Sequence, residues 1–317
     1  MNLDVVIVTL NRLDKLKTAL QHYERQTALF RNLIVVDNCS TDGTRQYLDE
    51  WARHPHQFTP HIIKLNSNTG GSGGFYAGQK YAMSLHPDWI LLADDDAYPA
   101  KDAIELFYLY FAEIDCAKTA AICGSVLSMN GEPDLGHRRY VCLNDNGIYH
   151  QVFSAPEQYN KKCFDINVLS YVGAFINSKA LLAVGLVNPR YFIYYDDSEH
   201  SLRLSKYGNI YCYPTIRFYH DNGWKSENML KGEKNVLFWR DYYGKRNYYH
   251  MIKLHFFFYA LRELFSYIVK SKSAFFRALI GTNKDDIYML DFRARKDAWL
   301  NHLGINKIYK PGWKKNL

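Results

Sequence analysis

The chain predicts an α/β fold on a mostly parallel sheet, and three observations carry this. The segments Val5–Leu10, Leu33–Asp37 and His61–Leu65 are short, apolar and rich in β-branched residues. Stretches of helical spacing separate them. Each run closes on polar residues. Strands buried on both faces read as continuous apolar runs, and alternation with helices implies βαβ units.

Val5–Leu10 is the first strand. Leu13, Leu16, Leu20 and Tyr23 then share one face of a helix reaching about Arg25. Leu33–Asp37 is the second strand and runs into the turn Asn38-Cys39-Ser40-Thr41-Asp42-Gly43-Thr44. A helix capped by Thr41 or Asp42 is expected to follow, to about Arg53. His61–Leu65 is the third strand. Asn66-Ser67-Asn68-Thr69-Gly70-Gly71-Ser72-Gly73-Gly74-Phe75 has neither the Walker phosphate-loop spacing nor GxGxxG, which disfavours a P-loop ATPase and a Rossmann dehydrogenase. It reads as a loop whose glycines let backbone N–H groups approach an anion, leading into a helix from Phe75 to Leu85.

Trp89–Ala93 is a buried strand that ends in Asp94-Asp95-Asp96. Three carboxylates there repel one another and desolvate badly; a divalent cation offsets both costs, and Mg²⁺ or Mn²⁺ prefers such oxygen ligands. Thr9 to Arg12, Asp37-Asn38 and Asp94 to Asp96 all fall at the carboxyl ends of strands, where parallel sheets bind ligands. Further strands are expected at Ala120–Leu127, Val168–Ile176 and Ile210–Tyr219, with a helix over Ser178–Val184. Residues 131–158 read as a hairpin or a loop. Arg190–Tyr195 reads as an aromatic strand ending in Asp196-Asp197-Ser198-Glu199-His200, a second acidic cluster that suits a catalytic base or a helix N-cap.

Composition narrows the function classes. The 317 residues are 48% hydrophobic, enough for a sizeable core. A net charge of +7 suits a nucleotide phosphate, an anionic membrane or nucleic acid. Nucleic-acid binding is disfavoured because the basic residues are dispersed and acidic clusters cap the strands. None of the six cysteines forms a CxxC pair, so reduced thiols are expected. The opening Met1-Asn2-Leu3-Asp4-Val5 does not read as a signal peptide, and no uninterrupted apolar run of about 18 residues predicts a membrane span. Residues 233–280 read as helical and aromatic. Within them Met251–Phe265, interrupted by Lys253, His255, Arg262 and Glu263, suits an in-plane interfacial helix or a helix packed on the catalytic domain. Lys270, Lys272, Arg277 and Lys284, with the lysine-rich tail from Lys307, would favour anionic headgroups.

Thr9-Leu10-Asn11-Arg12, the 35–44 segment and Asp94-Asp95-Asp96 resemble a family 2 glycosyltransferase of GT-A fold over roughly the first 220 residues. The resemblance implies a catalytic domain over 1–225, with a nucleotide-sugar half to about 97 and an acceptor half beyond it. A helical region over 226–317 would touch the membrane. It implies a nucleotide-sugar site at Thr9, Arg12, Asp37 (to the uracil imide), Asn68, Gly70, Gly71, Gly73, Gly74, Asp94 and Asp95. Mn²⁺ or Mg²⁺ would be held by Asp94, Asp96 and His220. Asp197 would be the base of an inverting transfer, with Asp196 orienting the acceptor. Glu199, Gly173 and Trp224 would line the acceptor side, although Trp224 suits core packing nearly as well. The Gly-Gly-Ser-Gly-Gly-Phe stretch is similar to polymerising galactofuranosyltransferases, implying UDP-galactofuranose as donor and a lipid-linked bacterial glycan as acceptor, on the cytoplasmic face of the inner membrane. Rhamnosyltransferases of the superfamily are the alternative.

Overall fold

The structure, a computed structural model, describes residues 1–221, 236–278 and 285–316. It divides into two compact units. One comprises residues 1–141, 151–189 and 197–223; the other comprises 142–150, 190–196 and 224–317.

The first unit opens with β1 (Leu3–Thr9), α1 (Leu13–Glu24), β2 (Asn32–Asp37), α2 (Thr44–Trp51), β3 (Thr59–Lys64), α3 (Gly70–Ser84) and β4 (Trp89–Asp94). β5 (Ala97–Pro99), α4 (Ala103–Phe111) and β6 (Thr119–Ser128) follow. Then come β7 (Arg138–Leu143), β8 (Tyr149–Phe153), β9 (Phe164–Ile166), β10 (Val168–Leu169), β11 (Ala174–Asn177), α5 (Ser178–Val184), α6 (Asp196–Tyr207) and β12 (Asn209–His220). The main sheet runs β3-β2-β1-β4-β11-β6-β12-β5, with β9 also on β12. β1 pairs in parallel with β2 and β4, and β6 with β12, while β11 lies antiparallel between β4 and β6.

Side chains alternate across a strand, so each apolar run feeds two cores. Val5, Ile7, Leu33, Val35 and Leu91 pack on one face with Leu16, Leu20 and Tyr23 of α1. Val6, Val8, Ile34, Val36, Ile90 and Leu92 pack on the other with Phe75 and Ala82 of α3. Each such aliphatic side chain contributes about 1.5–3 kcal/mol on burial.

Four expectations are corrected. The glycine stretch is not a loop: α3 begins at Gly70, because its first turns lie close on β1, where a Cβ at Gly74 would come within 2.4 Å of Val8 Cγ1. The α2 cap is Gly43 in the left-handed region; Asp42 instead accepts from the backbone N and Oγ1 of Thr44, one residue early for a cap. Val168–Ile176 is not one strand. It breaks at Gly173, whose φ of 72° turns the chain from β10 in the small β10-β7-β8 sheet to β11 in the main one. Arg190–Tyr195 is no strand either. Pro189–Tyr191 is a short 3-10 turn, and Phe192, Tyr194 and Tyr195 have φ of 69°, 65° and 64°.

In the second unit, β13 (Val236–Phe238) pairs with β14 (Lys314–Asn316), and α7 (Trp239–His255), α8 (Phe257–Ala278) and α9 (Asp285–Trp299) form the helical part. The interfacial stretch Met251–Phe265 thus spans the α7–α8 junction. Left-handed non-glycine residues cost on the order of 1–3 kcal/mol each. The aromatic turn is held by Asn247, whose side-chain amide donates to the carbonyl oxygens of Tyr191, Ile193 and Tyr194 at 2.8–2.9 Å. Phe192 packs with Tyr242, Tyr243, Leu290 and Tyr309. No helix among the described residues is long and apolar enough to cross a membrane.

Candidate active site

The chain goes β1, β2, β3 outward and then returns to place β4 on the other side of β1. Such a reversal leaves a crevice at the carboxyl ends of the two diverging strands. The β1–β4 register pairs Val8 with Asp94, so the acidic triplet emerges beside Thr9 and the turn after it. Thr9 Oγ1 donates to Asp95 Oδ2 at 2.7 Å, and Arg12 Nη1 donates to Asp95 Oδ1 at 3.1 Å and Asp96 Oδ2 at 2.7 Å. β12 reaches the same edge. A bulge between Tyr213 and Arg217 lets it run on to pair His220 with Ala97 of β5, and Asp221 N donates to the Asp96 carbonyl. The result sets His220 Nε2 3.4 Å from Asp96 Oδ1.

The electrostatics follow from crowding. Burial, then repulsion by Asp96 and Asp95, pushes the Asp94 carboxyl up to about 8. Burial raises Asp95 to about 6, against the opposing pull of Arg12. Burial also opposes ionisation of Asp96, but the hydrogen bond and charge of His220, with Arg12 and Lys15, hold it below the usual carboxylate range. Burial works against the charged His220 imidazole too, yet Asp96 and Asp94 raise its pKa. Three carboxylates are thus crowded beside Arg12 and His220, with Lys15 nearby and itself paired with Asp221. The donors are oxygen-rich, which fits a Mg²⁺- or Mn²⁺-type cation.

A second cluster lies at the end of β2. Asp37 is fully enclosed; its Oδ1 accepts from Ser40 N and its Oδ2 from Arg45 Nε at 2.7 Å. Asn38 ties this turn to the start of α3: Nδ2 donates to the Gly70 carbonyl, and Oδ1 accepts from Thr69 N and Oγ1. Asn68 Oδ1 accepts from Gly70 N. A Cβ at Gly73 would come within 2.4 Å of Thr69, whereas one at Gly71 would meet nothing within 4 Å. Gly73 and Gly74 are thus explained by packing, and Gly71 is the glycine with open space before it.

The remaining predicted residues are more dispersed. Asp196 and Asp197 start α6, where Asp197 Oδ1 accepts from Ser198 N and Oγ. Glu199 is buried and forked onto Arg203 by hydrogen bonds of 2.9–3.1 Å, so its carboxylate is already engaged by the guanidinium. Gly173 packs on the ring of Phe218, which an added Cβ would approach to 2.3 Å. Trp224 lies outside the described residues. Sequence reasoning missed Arg45, the bracing role of Asn38, Lys15 (bonded to the Asp221 carbonyl) and Asn247. Asn38 directly follows Asp37, but a turn asparagine signals only a turn.

The family described as Glycosyl transferase family 2 matches residues 4–184. A galactofuranosyltransferase, GlfT1 of Mycobacterium tuberculosis, is 31% identical over 206 residues, 64% of this chain and 64% of the relative. A dTDP-rhamnosyl transferase, RfbF of Shigella flexneri, is 25% identical over 228 residues, 71% of each chain. The chain thus spans just under two thirds of the GlfT1 length. Among solved structures, GalNAc-T7 with UDP, GalNAc and Mn²⁺ aligns at a TM-score of 0.59 and 14% identity, covering 80% of this chain and 48% of that one. The S. aureus TarS fragment with UDP aligns at 0.54 and 14% identity, over 80% of this chain and 66% of that one. These share the mixed α/β GT-A fold. With its family match covering more than half of its length, the chain belongs to glycosyltransferase family 2.

Proposed function

We propose that the protein is an inverting, metal-dependent glycosyltransferase that moves galactofuranose from UDP-galactofuranose to a lipid-linked bacterial surface glycan. The observation that carries this reading is the acidic triplet at the β1–β4 crevice, braced by Thr9 and Arg12 and met by His220. Asp94, Asp96 and His220 would hold the cation, which when bound supplies positive charge to the leaving diphosphate. Thr9, Arg12, Asp95, Asn68, Gly70 and Gly71 are assigned to the nucleotide sugar. Asp37 is assigned to accept from the uracil imide through lone pairs that Ser40 and Arg45 do not use, which requires the turn that encloses it to open. Asp197, at the start of α6, takes the proton of the acceptor hydroxyl as that oxygen attacks the anomeric carbon. Asp196 orients the acceptor, with Gly173 and Glu199 assigned to acceptor contact.

The likeness to the galactofuranosyltransferase supports the donor assignment. The rhamnosyl transferase likeness over 71% of the chain supports a second reading, in which another nucleotide sugar is used. An exposed apolar face, formed by Leu254, Phe257, Phe258, Leu261, Phe265, Ile268 and Val269, supports peripheral membrane contact at the level of a lipid-linked acceptor. Transfer assayed with a panel of nucleotide sugars, with Mn²⁺ or with chelator, tests the proposal. Metal-dependent turnover of UDP-galactofuranose alone is the expected result. Turnover of only a different nucleotide sugar would discard the galactofuranose assignment.

A further inference from the structure

A second set of potential ligands meets His220. Asp134 and His137 stand three residues apart around a short turn, Leu135–His137. One carboxylate oxygen of Asp134 and one ring nitrogen each of His137 and His220 lie within 4.8 Å of one another. His137 Nε2 is 3.5 Å from Asp134 Oδ2, and the two imidazoles meet edge to face at 5.0 Å between centroids. The 3.5 Å spacing is that of an ion pair. It matches the edge of a tetrahedron with metal–nitrogen bonds of about 2.0–2.1 Å, which is about 3.4 Å.

Two further observations point to a ligand. His137 Nδ1 is fixed by Ser170 Oγ at 2.7 Å, the kind of outer contact that orients a metal-binding imidazole and leaves its other nitrogen free to ligate. His220 Nδ1 is buried with no hydrogen-bond partner among the described residues. Two imidazoles and one carboxylate differ in kind from the all-oxygen triplet at Asp94 to Asp96. Nitrogen-rich sets favour Zn²⁺ and its neighbours over Mg²⁺.

We propose that Asp134, His137 and His220 form a nitrogen-rich binding site for a Zn²⁺-class transition metal, separate from the carboxylate triplet. The site goes beyond the transfer reaction and does not depend on which sugar is moved. His220 offers Nδ1 to this site while its Nε2 faces Asp96, so one imidazole joins the two clusters.

The test uses the full chain stripped with chelator and titrated with Co²⁺, a visible stand-in for Zn²⁺. One equivalent should bind with the strong visible absorption of a low-coordinate nitrogen and oxygen set, and Zn²⁺ but not Mg²⁺ should displace it. His137→Gln and Asp134→Asn should each weaken Co²⁺ binding by roughly tenfold or more, and Asp94→Asn should leave it unchanged. Calorimetric unfolding checks that each variant is folded; if His137→Gln does not fold, the Co²⁺ affinity of Asp134→Asn decides. No Co²⁺ binding, wild-type affinity in the folded variants, or an equal loss in Asp94→Asn overturns the separate site. UDP binding with Mg²⁺, measured on the same samples, reports on the transferase reading by itself: its absence with normal Co²⁺ binding would sink that reading and leave this site standing.

Discussion

Replacing Asp94 by Asn should stabilise the metal-free protein, and increasingly so as pH rises. The folded carboxyl titrates at about 8, against an ordinary value of 3.8. Unfolded chains release this proton near pH 4, whereas the folded protein keeps it to about 8. The unfolded state therefore binds fewer protons across that window, and stability falls as pH rises through it. At about 1.4 kcal/mol per pH unit, the full span sets an upper bound of roughly 5–6 kcal/mol. Asp95 and Asp96 share the same repulsion and relax when one member changes, so about half, ~2–3 kcal/mol, is the expected effect. For a unit of this size that is about 5–10 °C in melting temperature. Calorimetry in chelator at pH 5 and pH 8.5 measures it. His220 has a raised pKa as well, and its contribution is also lost with rising pH, but it is present in both proteins. The difference between wild type and Asp94→Asn isolates the carboxylate. The gap should open between the two pH values and close in the wild type when Mg²⁺ and UDP are added. Parallel curves, with no gap at pH 8.5, would refute the crowding argument.

Asp197→Asn should lower transfer about 10²–10⁴-fold while UDP binding, followed by titration calorimetry, stays within twofold of the wild type at roughly neutral pH. Gly74→Ala should cost about 1–3 kcal/mol in urea unfolding because its Cβ collides with Val8, whereas Gly71→Ala, with open space before it, should leave stability unchanged and weaken UDP binding. Phe258→Ser with Phe265→Ser should reduce co-sedimentation with anionic vesicles and leave turnover of a soluble acceptor intact, since both rings are exposed, at 85% and 71%.

Which parts of the molecule were legible in the sequence follows from where each signal is stored. β1, β2 and β4 were visible because strands buried on both faces must be apolar throughout, β3, half-buried at the sheet edge, because of Ile62 and Ile63, and α1 because Leu16, Leu20 and Tyr23 repeat at helical spacing. The acidic triplet was visible because charge at the end of such a strand has few structural uses. Local pattern failed where a tertiary contact decided the backbone. The glycines at the start of α3 read as a loop, since the purpose of Gly74, close approach to Val8 of β1, lies in a partner more than sixty residues away. The break at Gly173 and the left-handed turn at Phe192–Tyr195 were likewise invisible: one lies where the ring of Phe218 leaves no room for a Cβ, the other is held by the side chain of Asn247. The same reasoning separates the two acidic clusters. Thr9, Arg12 and His220 converge on Asp94 to Asp96 from three different elements, so that site is over-determined by the fold. Asp197 is held by its own neighbour Ser198, a bond that any helix start can make, so its local geometry carries no catalytic argument and the proposed role as base is decided by the kinetics of Asp197→Asn.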